Sequence, residues 1–319
     1  MTPLLCVKNL KVTFLTSKGP LCAVRGIDFS VFKGEILGIV GESGCGKSAA
    51  VKALTRLVPA EIHGQILYNG TDLLTYSERK MRSIRGKEIS MIFQDPMTSL
   101  NPTMTIGKQI MEGYLEHFPL ASRKEAKSKA LAMLKKVGVE GRFDDYPHTL
   151  SGGMRQRVMI ALALACEPKL LLADEPTTAL DVTIQAQILA LLKEIQKEMH
   201  TTIILISHDL SVVANFCDRI FVMYGGKIIE SAPVNTLFSS PQHPYTKQLI
   251  AAIPRLDQQK DEPLRTIVGT PPNLLNPIHG CSFCPRCPSA MQVCALREPP
   301  SNEVGQDHLS ACFLQGGVE

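Results

Sequence analysis

The sequence predicts an α/β fold in which a parallel sheet alternates with helices. Three observations point to it. Short, nearly continuous apolar runs recur at Glu35-Ile-Leu-Gly-Ile-Val40, Leu170-Leu-Leu-Ala-Asp174 and Thr202-Ile-Ile-Leu-Ile206. A glycine-rich turn follows the first run directly, and segments of helical period separate the runs. Strands apolar on both faces are what a sheet covered on both sides requires, and strand and helix in alternation give a layered fold with parallel strands.

Taken in order, Leu4 to Phe32 alternates apolar and polar residues around Gly19 and Pro20, which predicts a strand pair at a sheet edge. The buried run at 35–40 comes next, and a helix begins near Lys47. Beyond Ser77 the chain becomes helical and charged. Ser122 to Val137 sets Ala130, Leu131, Met133, Leu134 and Val137 at helical spacing, so Pro102 to Asp145 reads as a helical insert, the subdomain reaching to about residue 165. The second apolar strand, a helix from Ile184 to Met199 and the third strand restore the alternation. After Lys247, Pro254, Pro263, Pro271, Pro272 and Pro277 mark a linker. The expected organisation is one domain over residues 1–255, then a linker and cysteine-rich region over 256–319.

Composition bounds the function. A chain of 319 residues corresponds to roughly two domains. With 45% hydrophobic and 20% charged residues, disordered, collagenous and coiled-coil classes are excluded. A net charge of +4 is too mild to argue for nucleic acid. Met1 to Leu10 holds no apolar core of signal-peptide length, so export is not expected. No run nears the roughly 18 apolar residues of a membrane span, Met159 to Cys166 being far too short.

The segment Gly41-Glu42-Ser43-Gly44-Cys45-Gly46-Lys47-Ser48, followed by Ala49, fits G-x-x-x-x-G-K-[ST] between a predicted strand and a predicted helix. Glycines let the backbone curl so that successive N–H groups face phosphates, and the following helix adds the positive end of its dipole. Lys47 would then reach the β and γ phosphates and the Ser48 hydroxyl would ligate Mg²⁺, so ATP and Mg²⁺ are the expected ligands. Cys45, near a helix N-terminus, is expected to favour its thiolate. Asp174 and Glu175 close the second apolar strand, where ligands bind in such folds. Asp174 suits water-mediated Mg²⁺ binding, and Glu175 suits polarising the water that attacks the γ phosphate.

Leu150-Ser151-Gly152-Gly153-Met154-Arg155-Gln156-Arg157 resembles the signature motif of ABC-type ATPases, a P-loop NTPase family, and lies in the expected order between the loop and Asp174. Gln94 in Phe93-Gln94-Asp95-Pro96 is similar to the family's glutamine loop, Ala179-Leu180-Asp181 to its D-loop, and His208 to its switch histidine. Phe14 falls where the family stacks an aromatic ring on adenine. The likeness spans about the first 255 residues, Met154 departing from the family's usual glutamine. It implies an ABC-type nucleotide-binding domain in which Ser151 and Gly153 of one subunit meet the phosphate held by another subunit's loop, His208 contacts the γ phosphate, and Gln94 contacts the metal or the attacking water.

Asp95-Pro96-Met97-Thr98-Ser99-Leu100-Asn101-Pro102, Asp174-Glu175-Pro176-Thr177-Thr178-Ala179-Leu180-Asp181-Val182 and His243-Pro244-Tyr245-Thr246 are similar to ATP-binding subunits of bacterial dipeptide and oligopeptide importers. Nickel and some oligosaccharides are carried within the same subfamily, and a soluble ABC-type ATPase outside transport is the remaining alternative. The resemblance implies two membrane-spanning permease subunits, an extracytoplasmic peptide-binding protein, and a second ATPase, with a heterodimer favoured over a homodimer. It also implies a peripheral position on the cytoplasmic face of the inner membrane, with a permease helix docked beside Gln94.

Five of the ten cysteines crowd the C-terminal region. Cys281, Cys284 and Cys287 have C-x₂-C-x₂-C spacing, followed by Cys294, His308 and Cys312; thiolates at such spacing hold iron–sulfur clusters or zinc. The segment resembles the C-terminal region of the same importer subunits, where four cysteines matching Cys281, Cys287, Cys294 and Cys312 hold a [4Fe–4S] cluster; the resemblance makes that cluster the expectation, zinc and a tail without metal the alternatives, and Cys284 an extra thiol.

Overall fold

A computed structural model describes residues 2–178, 180–253, 266–276 and 278–316. In chain order the elements are β1 (Leu5–Thr16), β2 (Gly19–Val31), β3 (Ile36–Val40), α1 (Lys47–Leu54), β4 (Glu61–Tyr68), β5 (Thr71–Asp72), α2 (Glu78–Ile84), β6 (Ile89–Ile92), α3 (Pro96–Ser99), α4 (Ile106–His117), α5 (Arg123–Lys136) and α6 (Gly152–Leu164). There follow β7 (Leu170–Asp174), α7 (Val182–Met199), β8 (Thr202–Ser207), α8 (Leu210–Phe216), β9 (Arg219–Tyr224), β10 (Lys227–Pro233), α9 (Val234–Ser239), α10 (Pro244–Ala251), α11 (Gln292–Leu296), β11 (Asn302–Gly305) and β12 (His308–Ser310). The chain forms two compact units, one of Met1–Val31, Ile36–Leu74 and Ile206–Glu319, the other of Phe32–Glu35 and Thr75–Leu205.

The first unit holds two groups of strands. One is an antiparallel sheet ordered β2-β1-β4-β5, whose leading pair is the expected edge hairpin. The reversal, however, falls on Ser17 and Lys18: Thr16 pairs with Gly19, and Gly19 opens β2 at φ 114°. Only glycine adopts that dihedral at little cost, so Gly19 serves the turn as its last residue. The other group runs β11-β12-β10-β9-β3, with β3 parallel to β9 and the other pairs antiparallel. Every residue of β3 is buried, as its unbroken apolar run requires.

The second unit carries the strands β8-β7-β6, with β6 parallel to β7 and β8 belonging to the unit through Leu205. Each of these strands is buried throughout. Except for α4, its helices start at side-chain caps. Ser122 accepts from the Glu125 N–H at 3.1 Å to open α5, the S-x-x-E arrangement that satisfies an otherwise orphaned donor. The expected insert is thus helical, built from α4 and α5, while the helix foreseen from Ile184 begins two residues earlier, capped by Asp181. Of the linker prolines, Pro254, Pro263 and Pro277 lie outside the described residues, as does Ala179.

Candidate functional site

In the first unit, β3 ends at Val40 and the chain turns through Gly41, Gly44 and Gly46 at φ 150°, 77° and 101° before α1 starts at Lys47. Two of these glycines are also demanded by packing. A Cβ on Gly41 would stand 2.2 Å from the Met223 carbonyl oxygen, and one on Gly46 2.2 Å from that of Ala23. A Cβ on Gly44 would meet nothing within 4 Å, so there the dihedral alone calls for glycine. Helix α1 opens with no side-chain cap and no acidic residue in its first turn, which leaves its positive end to an anion.

Lys47 is 5% exposed, and its Nζ donates to the carbonyl oxygens of Gly41 at 2.7 Å and Glu42 at 3.0 Å. Beside it, Cys45 is buried, and that burial pushes its thiol up despite the lowering influence of Lys47. The thiolate expected at this helix end is therefore not favoured: desolvation of the charged form outweighs the ammonium. The Glu42 N–H donates to Tyr245 Oη at 3.0 Å, and its carboxylate is met by Arg286. Phe14 lies half-buried on β1, and exposed His208 follows β8 in the same unit.

In the second unit, Asp174 ends β7 fully buried, and the next residue takes φ 49°. That residue, Glu175, accepts through Oε2 from Gln94 Nε2 at 3.1 Å and from Thr178 Oγ1 at 3.0 Å. Two residues singled out for one chemistry are thereby joined. The signature and D-loop segments also converge. Ser151 caps α6, accepting from the Met154 N–H at 3.3 Å, and Asp181 caps α7, accepting from the Ile184 N–H at 2.9 Å. A Cβ on Gly153 would come within 2.9 Å of Ile184 Cγ2, while one on Gly152 would lie 3.7 Å from Leu180 Cδ2. Glycine at these positions lets the two helix starts approach each other.

The iron–sulfur expectation is corrected here. Among the described residues no group of three or more His, Cys, Asp or Glu side chains is placed to hold a metal ion, so neither the cluster nor zinc on Cys281, Cys287, Cys294 and Cys312 is supported. With Cys284 these thiols line an apolar pocket beside Phe283. Burial pushes Cys281 up to about 11 and raises Cys287 and Cys312. Neutral thiols in such surroundings pack as small apolar side chains. Spacing along the chain had suggested ligands; the fold buries Cys294 and Cys312 and leaves Cys281, Cys284 and Cys287 half-buried at the pocket wall.

Sequence reasoning missed Arg286 and Glu230. Arg286 stands between two cysteines that drew attention away from it. Glu230, on β10, accepts from the backbone N–H groups of Gln242 at 2.7 Å and His243 at 2.9 Å, and pairs with His308 Nε2 at 2.8 Å. An acid within a run of four consecutive buried strand residues marks the site, and sequence alone does not show that burial.

Residues 24–178 match the family model described as ABC transporter, and residues 229–294 match that of the oligopeptide/dipeptide transporter, C-terminal region. The chain is 51% identical to the oligopeptide transport ATP-binding protein OppD of Bacillus subtilis, over 98% of this chain and 89% of that protein. It is likewise 51% identical to the dipeptide transport ATP-binding protein DppD of the same organism, over 99% and 96%. Among solved structures, a dimeric ATP-binding cassette in a post-hydrolysis state, bound to ADP and Pi, superposes with a TM-score of 0.66 at 29% identity, covering 72% of this chain and 98% of that one.

Proposed function

The chain belongs to the ABC transporter family, in its oligopeptide and dipeptide branch, and from that premise we propose how its residues share the work of an ATPase that energises peptide uptake. The observation that carries this reading is the loop at 41–48, where a buried lysine backs an uncapped helix start. We assign the backbone of Gly41 to Ala49 to the phosphates of ATP, with Lys47 giving its ammonium, the α1 N–H groups their donors, and the Glu42 side chain, engaged by Arg286, no phosphate contact. Phe14 offers a ring for adenine. Mg²⁺, when bound, would supply positive charge to the phosphate oxygens; by resemblance to the family, Ser48, Asp174 and Gln94 are its candidate ligands. Glu175 is assigned to accepting a proton from water, with Gln94 and Thr178 fixing the orientation of its carboxylate. His208, Ser151, Gly152, Gly153 and Asp181 are assigned to sensing the γ phosphate, the last four in partnership with a second ATPase.

Permease subunits and a binding protein belong to an importer of this branch. We assign the second ATPase to a distinct subunit and the whole to the cytoplasmic face of the inner membrane; among the described residues no helix is long and apolar enough to cross a membrane. Phe93 is exposed and Met97 is 56% exposed beside Gln94, which supports an apolar docking place for a permease helix. Residues 1–255 are assigned to the ATPase domain and 256–319 to the linker and C-terminal region. Affinity purification from detergent-solubilised membranes tests the assembly: two multispanning proteins and a second ATPase are expected, and recovery with ribosomes or nucleic acid alone would overturn it.

A further inference from the structure

Glu42 places a negative charge on the loop assigned to a polyphosphate. Unanswered, that carboxylate opposes the ligand. Arg286, 244 positions further along the chain, answers it with two bonds, Nη1 to Oε2 at 2.6 Å and Nη2 to Oε1 at 3.0 Å. The Arg286 side chain is 4% exposed and its guanidinium is itself held: Nη1 donates to Tyr224 Oη at 3.0 Å, Nη2 to the Ile267 carbonyl at 3.1 Å, and Nε to the Val268 carbonyl at 3.0 Å. All the donors an arginine possesses are engaged, and a two-pronged fork on a carboxylate is a geometry lysine does not reproduce. Nearby, Pro271, Pro272 and Leu274 line a cavity together with Glu42, Gly44 and Cys45. The C-terminal segment is thus built against the loop at several points.

We propose that Arg286 is a positioning residue for nucleotide binding, neutralising Glu42 so that the C-terminal segment sets the affinity of the phosphate loop for MgATP. The inference rests on the assignment of residues 41–48 to ATP. It follows from charge: the contacts of Glu42 N–H with Tyr245 and of the Cys45 carbonyl with the Gly226 N–H, at 3.1 Å, do not involve Arg286, whereas the compensation of the carboxylate does.

Binding of a fluorescent ATP analogue with Mg²⁺ to the full chain tests it, in Arg286→Met, Glu42→Gln, the double variant and Lys47→Ala. Arg286→Met is expected to weaken binding roughly three- to tenfold, because it leaves an uncompensated carboxylate, screened by solvent and salt, near the polyphosphate. Adding Glu42→Gln is expected to return affinity to within about twofold of the parent, a rescue that loss of packing alone would not give. Affinity unchanged in Arg286→Met, or a double variant as weak as Arg286→Met, overturns the proposal. Should Arg286→Met not fold, Arg286→Lys decides: any loss it shows is expected to vanish with Glu42→Gln, and a loss indifferent to Glu42, or no loss at all, overturns it. Lys47→Ala separates the two readings, because unimpaired binding there would sink the loop assignment itself, whereas weakened binding there beside a harmless Arg286→Met sinks only the role of Arg286.

Discussion

Glu175 occupies φ 49°, a left-handed dihedral that a non-glycine residue enters at a cost, and strain of this kind concentrates at working residues. With Gln94 and Thr178 both donating to one of its oxygens, its carboxylate is aimed rather than free to rotate. Glu175→Gln keeps the shape and removes the base. ATP binding is expected to stay within about threefold of the parent while turnover falls on the order of 10²- to 10⁴-fold; wild-type turnover refutes the assignment. His243 carries a second prediction. Burial holds its imidazole down at about 4, and Nδ1 accepts from the Tyr245 N–H at 3.0 Å to cap α10. An unfolded chain takes up this proton near 6.5, the folded one only near 4, so between those values the unfolded state binds more protons. Stability is therefore whole above pH 6.5 and drains away as pH falls toward 4, on the order of 3 kcal/mol from this group. His243→Asn, which retains an acceptor at the cap, is expected to flatten the pH dependence of urea unfolding across that window. An unchanged slope removes His243 as the cause. At this scale the glycines and Lys47 were legible because a tight loop between a strand and a helix, with glycines at positive φ, leaves a local pattern. Arg286 was not, since its partner is distant in the chain and ion pairs leave no periodicity.

The starts of α6 and α7 show how one element can serve two ends. Ser151 and Asp181, assigned to a nucleotide held by another subunit, also close their own helices, and loss of such a cap costs about 1 kcal/mol. Variants at either residue therefore report on helix integrity as well as on ATP. Gly153 is the cleaner probe of packing. A methyl there stands 2.9 Å from Ile184 Cγ2, tighter than carbon atoms accept, and overpacking of this kind costs roughly 1–3 kcal/mol. Gly153→Ala is expected to lower the melting temperature, and Ile184→Ala added to it is expected to recover part of the loss; strict additivity of the two would show that the residues do not meet. Elements were read well from sequence where the pattern is local, as in the three apolar strands and the helical period of α5. The hairpin turn was misplaced onto Gly19 and Pro20 because Gly19 is demanded by the residue position after the reversal, a distinction that composition does not encode.

For the molecule as a whole, the expected assembly is two ATPases sharing two nucleotides. With Glu175→Gln arresting turnover, MgATP is expected to leave this chain monomeric by light scattering and to yield a dimer when the related subunit is added; a dimer formed by this chain alone refutes the heterodimer. The family and its importer branch were legible from motifs spread over most of the chain. The C-terminal region was misread, because C-x₂-C-x₂-C spacing is shared by thiols that grip metal and thiols that fill a pocket, and only three-dimensional placement separates them. The pairing of residues 42 and 286 bears finally on synthesis. A ribosome adds roughly 5–20 residues each second, so the 244 positions between the partners represent about 12–50 s of elongation. During that interval the phosphate loop has been made but its countercharge has not. A chain stopped short of residue 286 leaves Glu42 unanswered, and on the proposed role of Arg286 the loop is expected to reach its full affinity for MgATP only after that residue has been made.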